Sequence, residues 1–177
     1  MKYFTRKLLA KCASRDEEIA DAAAARWENA TATYRARLKA IRRQLPIEVR
    51  SFCDRFTLHD AKIILTGSHK NIPLFTILLQ LEGVPSQPGD AIQLVYSTVA
   101  KPRVGKAPAS GREWILYDEF DLAAKGKGFT HSLLLSDGSE MQIPFQRFGF
   151  QKIDLGRLSE AARLQLPSAV SALRGSA

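Results

Sequence analysis

Ile19, Ala23, Trp27, Ala30, Tyr34, Leu38, Ile41 and Leu45 follow one another at intervals of three or four residues without a break. That spacing keeps one face of a 3.6-residue helix apolar over about seven turns. Upstream, Ser14 with Glu17 has the form of a capping box, and Asp16, Glu17, Glu18 and Asp21 place negative charge where the helix dipole favours it. Thr5 can cap a short helix over Arg6 to Cys12. Pro46 ends the long helix, and a further helix over about Ile47 to Arg55 presents Val49, Phe52 and Phe56.

From Leu58 onward the apolar period changes to two, the signature of strands. His59, Ala61, Ile63 and Leu65 share one face there, with Asp60, Lys62 and Ile64 on the other. Leu74 to Leu81, Ala91 to Val99 and Trp114 to Leu122 read as three more strands. Phe129 to Ser136 and Ser139 to Phe145 flank Asp137-Gly138, a signal for a two-residue type I′ turn. Such a turn pairs 136 with 139, 134 with 141 and 131 with 144, and it sets Leu134, Met141, Ile143 and Phe145 on one face, His131, Leu133 and Leu135 on the other. If AAKGKG closes a regular hairpin, Leu122 pairs with Phe129 and Phe120 with His131, and Trp114, Leu116, Phe120 and Leu133 line one side. Both sheet faces are then apolar and both need cover. The N-terminal helices supply one cover; a C-terminal helical segment over about Leu158 to Leu173, or a homodimer contact, supplies the other.

The expected architecture is α+β: a helical part over 1–56, including one long amphipathic helix, packed on an antiparallel sheet of about five or six strands over 57–177, with a short C-terminal helix, the whole forming one domain. Val99 to Arg112 carries four basic residues, two prolines, two glycines and no acid, which reads as a loop.

Charge adds a second feature. The chain of 177 residues has a formal net charge of +8. Residues 1–55 hold 13 Lys/Arg against 7 Asp/Glu, so most of the excess belongs to the helical part. Arg35, Lys39, Arg42 and Arg43 on the long helix, with Lys101, Arg103 and Lys106 on the loop, make a surface suited to an acidic protein or, alternatively, to nucleic acid. Two cysteines, Cys12 and Cys53, form neither a disulfide framework nor a zinc set. No run of about 18 apolar residues is present, so no membrane span is expected and the cytoplasm is the default compartment.

The residues with chemistry to offer are His59, Asp60, Asp118 and His131. A metal-dependent or His-Asp enzyme would rest on them. His59 and Asp60 open a strand, however, and adjacent strand residues point to opposite faces, which disfavours one shared ion. The structural reading makes His59 a buried, hydrogen-bonded histidine and Asp60 a corner residue bonding nearby backbone N–H groups. Asp118 lies diagonally from His131 if the hairpin register holds, the minimum for general-base chemistry, but no nucleophile accompanies them at a meaningful spacing. No phosphate-binding glycine motif is present, and the sequence implies no metal and no cofactor.

The MKYFT opening, the long helix with Trp27 inside it, the Leu-Pro stop and LHDAKI leading into a sheet resemble an uncharacterised bacterial family of small proteins of unknown function. YDEFDL and FTHSLLLSDGSEMQIPF extend the resemblance over most of the chain. It implies an architecture and a bacterial origin, and no activity. The His-Asp-Ala segment is also similar to that of some immunity proteins of bacterial toxin systems, which neutralise a toxin by binding it. On these grounds the expected function is that of a non-enzymatic cytoplasmic binding protein that recognises another protein.

Overall fold

The computed structural model describes residues 1–69, 71–81, 90–104, 113–123 and 128–154. The fold is α+β. Among the described residues, three α-helices, α1 (Arg6–Cys12), α2 (Glu17–Ile41) and α3 (Ile47–Arg55), precede seven strands: β1 (Lys62–Ser68), β2 (Leu74–Gln80), β3 (Asp90–Thr98), β4 (Arg103–Val104), β5 (Ile115–Leu122), β6 (Phe129–Leu135) and β7 (Glu140–Asp154). The expected C-terminal helix, the middle of the AAKGKG turn (124–127) and Lys106 lie outside the described residues.

Thr5 caps α1, its side chain accepting from the Leu8 N–H. The cap of α2 is Asp16 rather than the expected Ser14: the Asp16 carboxylate accepts from the Ile19 N–H at 3.2 Å. Ser14 Oγ accepts from the Asp16 N–H instead, a local turn that short hydroxyl side chains favour just before a helix. The apolar stripe extends past the α-helix into a 3-10 turn over Arg42–Gln44, and both Ile41 and Leu45 are buried. Pro46 opens α3, whose Val49 and Phe52 are buried.

The strands form one antiparallel sheet in the order β1-β2-β3-β7-β6-β5, with β4 added beside β7. The loop expected from Val99 to Arg112 thus contains a short strand, with Arg103 opposite Gln142 and Val104 opposite Met141. The sheet curls until its two outer strands meet. Lys62 bridges Trp114, and backbone bonds run from Asp60 N to Ile115 O (2.8 Å), Ile115 N to Ala61 O (2.9 Å) and Ile63 N to Glu113 O (3.0 Å). Closure of this kind satisfies edge groups that an open sheet would expose.

Inside the curl, one apolar core takes Ile63, Ile77, Leu79, Ile92, Leu94, Ile115, Phe120, Leu133, Leu135, Met141, Ile143 and Phe145 from the strands. Phe52 of α3 joins it edge-on to Phe120, Phe148 and Phe150. The outer side of β5 is covered by the N-terminal segment: Phe4 stacks on Tyr117 at 4.6 Å and packs against Trp27 and Tyr34 of α2. Glu119, which is buried, accepts from the backbone N–H groups of Lys2, Tyr3 and Phe4 at 2.8–2.9 Å and so fastens that segment down. The Tyr34 hydroxyl accepts from the Phe120 N–H, and Arg37 donates twice to Asp121, so α2 runs along β5.

The β6–β7 register differs from expectation by one residue. His131 lies opposite Ile143, Leu133 opposite Met141 and Leu134 opposite Glu140. The turn comprises Ser136, Asp137 and Gly138, with Gly138 at φ 76° and Leu135 N bonded to Ser139 O. That is a three-residue loop closed by a left-handed glycine, not a two-residue type I′ turn. The one-residue change moves a whole side-chain set across the sheet: His131, Leu133 and Leu135 share the inner face with Met141, Ile143 and Phe145, while Leu134 alternates to the outer face and is buried there too. The β5–β6 register matches expectation, with Phe120 opposite His131 and Leu122 opposite Phe129. A shift between Ile115 and Tyr117 takes Trp114 out of that strand's regular alternation, and Trp114 is exposed.

Candidate functional site

His59 and Asp60 occupy a turn, and β1 begins only at Lys62. Asp60 adopts a left-handed backbone, φ 64°, the one non-glycine residue to do so among those described. Aspartate accepts this conformation more readily than most residues. The turn brings the two side chains to the same place, His59 Nδ1 lying 3.0 Å from Asp60 Oδ1, with exposures of 50% and 60%. His59 is therefore exposed, contrary to the expected burial, because the reversal at Asp60 interrupts the strand alternation that would have turned it inward. The corner is fixed by backbone, through the Asp60 N–H on Ile115 O, rather than by the Asp60 carboxylate. The His59 ring lies 5.4 Å from that of Tyr117.

Asp118 and His131 do come together, as the hairpin register implied. His131 Nε2 is 3.1 Å from Asp118 Oδ2, and His131 Nδ1 is 2.8 Å from the Tyr96 hydroxyl. A carboxylate accepts, so Nε2–H donates to Asp118, and in the neutral imidazole Nδ1 then accepts from the Tyr96 O–H. Phe120 stacks flat on the imidazole, 3.8 Å away at 11°. Tyr96 and His131 are fully buried, and only the outer end of the chain, Asp118, reaches solvent. Burial, with Asp118 adding to it, pushes the Tyr96 phenol well above its ordinary range. Tyr34 is raised for the same two reasons, and burial pushes the Cys53 thiol up to about 12 with Asp118 and Asp54 contributing. The thiol is thus held protonated and away from nucleophilic use. Tyr96 is not among the residues the sequence singles out, although its place in the alternation Ile92, Leu94, Tyr96 marks it as inward-facing, and an inward tyrosine needs a hydrogen-bond partner.

The four residues singled out from the sequence therefore fall into two separate pairs. Among the described residues, no group of three or more His, Cys, Asp or Glu side chains is arranged to hold a metal ion. No helix among them is long and apolar enough to cross a membrane.

The basic residues fall into place by element. Arg35, Lys39 and Arg43 are exposed along α2 and the turn after it, and Arg42 pairs with Asp54 at 2.6 Å. Lys101 and Arg103 are exposed on a different element, at β4 beside β7. Arg50 and Arg55, which the sequence pattern does not single out, line a pocket with Arg42, Ile47, Ser51 and Asp54. Positions 47, 50, 51, 54 and 55 share the outward face of α3, so helical spacing alone would have grouped them. No protein-family model matches this chain, and neither the curated proteins nor the solved structures contain a match to it.

Proposed function

We propose that this is a non-enzymatic cytoplasmic binding protein whose basic helical face recognises an acidic partner protein. The observation that carries the reading is the charge on 33–56: seven Lys/Arg against two Asp/Glu, with Arg35, Lys39 and Arg43 directed to solvent and forming no ion pair among the described residues. A surface of this kind raises the association rate with a negatively charged partner and penalises positive ones. An immunity-like role, in which the partner is a toxin, is the specific form that the likeness at His59-Asp60-Ala61 adds. The burial of Tyr96 and His131 supports a binding role over catalysis, since the imidazole has no face open to a substrate.

The experiment is co-purification from the native cell extract, after nuclease treatment, with the wild type and with an Arg35→Glu/Lys39→Glu/Arg43→Glu variant. The expected result is an acidic protein retained by the wild type and lost with the variant. Retention abolished by the nuclease would favour nucleic acid as the ligand, and identical retention by both chains would remove the basic face from consideration.

A further inference from the structure

The pocket on the outward face of α3 has a volume of about 340 Å³ and is lined by Arg42, Ile47, Arg50, Ser51, Asp54 and Arg55. We infer that it is a binding site for a phosphomonoester group. Three guanidinium groups against one carboxylate leave the lining with a charge of +2, the complement of a phosphomonoester near neutral pH.

The arginines differ in how they are held, and the difference points to a ligand. Arg42 is engaged by Asp54 at 2.6 Å, in a pair exposed at both ends. Arg55 has its guanidinium over Phe56 and Phe150, 5.4 and 5.7 Å from the ring centroids, a contact that holds the group without using a hydrogen-bond acceptor. Arg50 forms no ion pair among the described residues, and its Nε is buried without an acceptor. Arg50 thus lines the pocket with a guanidinium charge that no carboxylate among the described residues neutralises, and an oxyanion is the group that matches it.

The class of oxyanion follows from charge and shape. A carboxylate neutralises one unit and is planar, so it engages one fork; a tetrahedral phosphate offers three terminal oxygens to forks arriving from different directions. The Ser51 hydroxyl adds a neutral donor, and Ile47, 65% exposed on the rim, offers an apolar contact for the carbon skeleton that carries the phosphate. An exposed ion pair such as Arg42–Asp54 holds weakly, so an incoming dianion competes for Arg42. The ligand is either a phosphorylated side chain of a partner or a free small-molecule phosphate; the chemistry is shared. The site does not depend on the acidic-partner reading, which rests on Arg35, Lys39 and Arg43.

The test is calorimetric titration of the full chain with inorganic phosphate, with a short phosphoserine peptide, and with the same peptide carrying glutamate. The expected result is binding of a phosphate probe that weakens at least about tenfold in Arg50→Gln and is unchanged in Lys7→Gln, whose site lies on α1. Tighter binding of the phosphopeptide than of inorganic phosphate assigns the ligand to a partner's side chain; the reverse assigns it to a free metabolite. Amide shift changes confined to Arg42 and 47–55 give the same answer if Arg50→Gln fails to fold. Absence of binding, equal binding by Arg50→Gln, or a glutamate peptide binding as tightly as the phosphopeptide overturns the proposal. Loss of phosphate binding with acidic-protein capture intact would leave the proposed function standing.

Discussion

The hydroxyl of Tyr96 on β3 reaches Nδ1 of His131 on β6 at 2.8 Å, across the intervening strand β7. The contact ties two strands that do not pair, inside the curl, and continues through the imidazole to Asp118 on β5. Every polar atom of the ring thus has a partner in a site that excludes water. Tyr96→Phe removes the donor and leaves Nδ1 buried without one, which costs about 1–3 kcal/mol. Denaturant unfolding of Tyr96→Phe, His131→Leu and the double variant checks this. The two single losses should exceed the double loss when summed, because each single change strands the other partner. Additive losses would mean the contact contributes nothing of its own.

The corner before β1 gives a prediction that separates its two residues. Asp60 has a left-handed backbone, which costs an alanine about 1–2 kcal/mol and a glycine almost nothing. Asp60→Ala should lower the melting temperature and Asp60→Gly should leave it nearly unchanged. His59→Ala should shift stability by less than about 0.5 kcal/mol, since an exposed His–Asp contact holds little. Equal losses for Asp60→Ala and Asp60→Gly would show that the side chain, not the backbone, fixes the corner.

Glu119 presents a third case. Its buried carboxylate accepts three backbone N–H bonds from residues 2–4. Glu119→Gln swaps one accepting oxygen for an NH₂ that faces a donor, and a charge-assisted bond is lost at a cost of about 1.5–3 kcal/mol. Hydrogen exchange should show the amides of Lys2, Tyr3 and Phe4 losing protection in this variant before the β3 and β7 amides do. Unchanged protection at residues 2–4 would mean that Phe4 packing alone holds the segment.

Alkaline pH should destabilise the fold. Burial raises the thiol of Cys53 to about 12 and the phenol of Tyr34 above its usual range, so the native state binds more protons than the unfolded chain once the pH passes about 9. The sign is then negative: stability is fully present below the unfolded-state values and falls as pH rises through the folded ones. Urea midpoints measured under reducing conditions from pH 8 to 10.5 should fall, and less steeply in Cys53→Ala. A flat profile in the wild type would contradict the assigned burial.

Much of this fold was legible because its signals are local. Thr5, Pro46 and the stripe from Ile19 to Leu45 define the helices through side-chain chemistry within a turn of each boundary. The β5–β6 register followed from counting across one short connection, and it delivered the Asp118–His131 pair. The β6–β7 register did not follow, because Asp137-Gly138 serves a two-residue and a three-residue loop equally well, and both alternatives bury apolar residues when both faces are covered. The observed register is the one that sets His131 beside Tyr96 across β7. Closure of the curl through Asp60, Lys62 and Trp114 lies wholly in such long-range contacts, and it is what turned His59 outward.

The proposed ligand of the basic face over Arg35, Lys39 and Arg43 is an acidic polypeptide. The most direct measurement is fluorescence anisotropy of labelled poly-glutamate titrated with the full chain over a range of salt concentrations, alongside duplex DNA of matched charge. Saturable binding of poly-glutamate is expected at low salt, weakening as salt screens the charges and lost in Arg35→Glu/Lys39→Glu/Arg43→Glu. No binding at low salt, equal binding by the charge-reversed chain, or DNA binding more tightly than the polypeptide would contradict it.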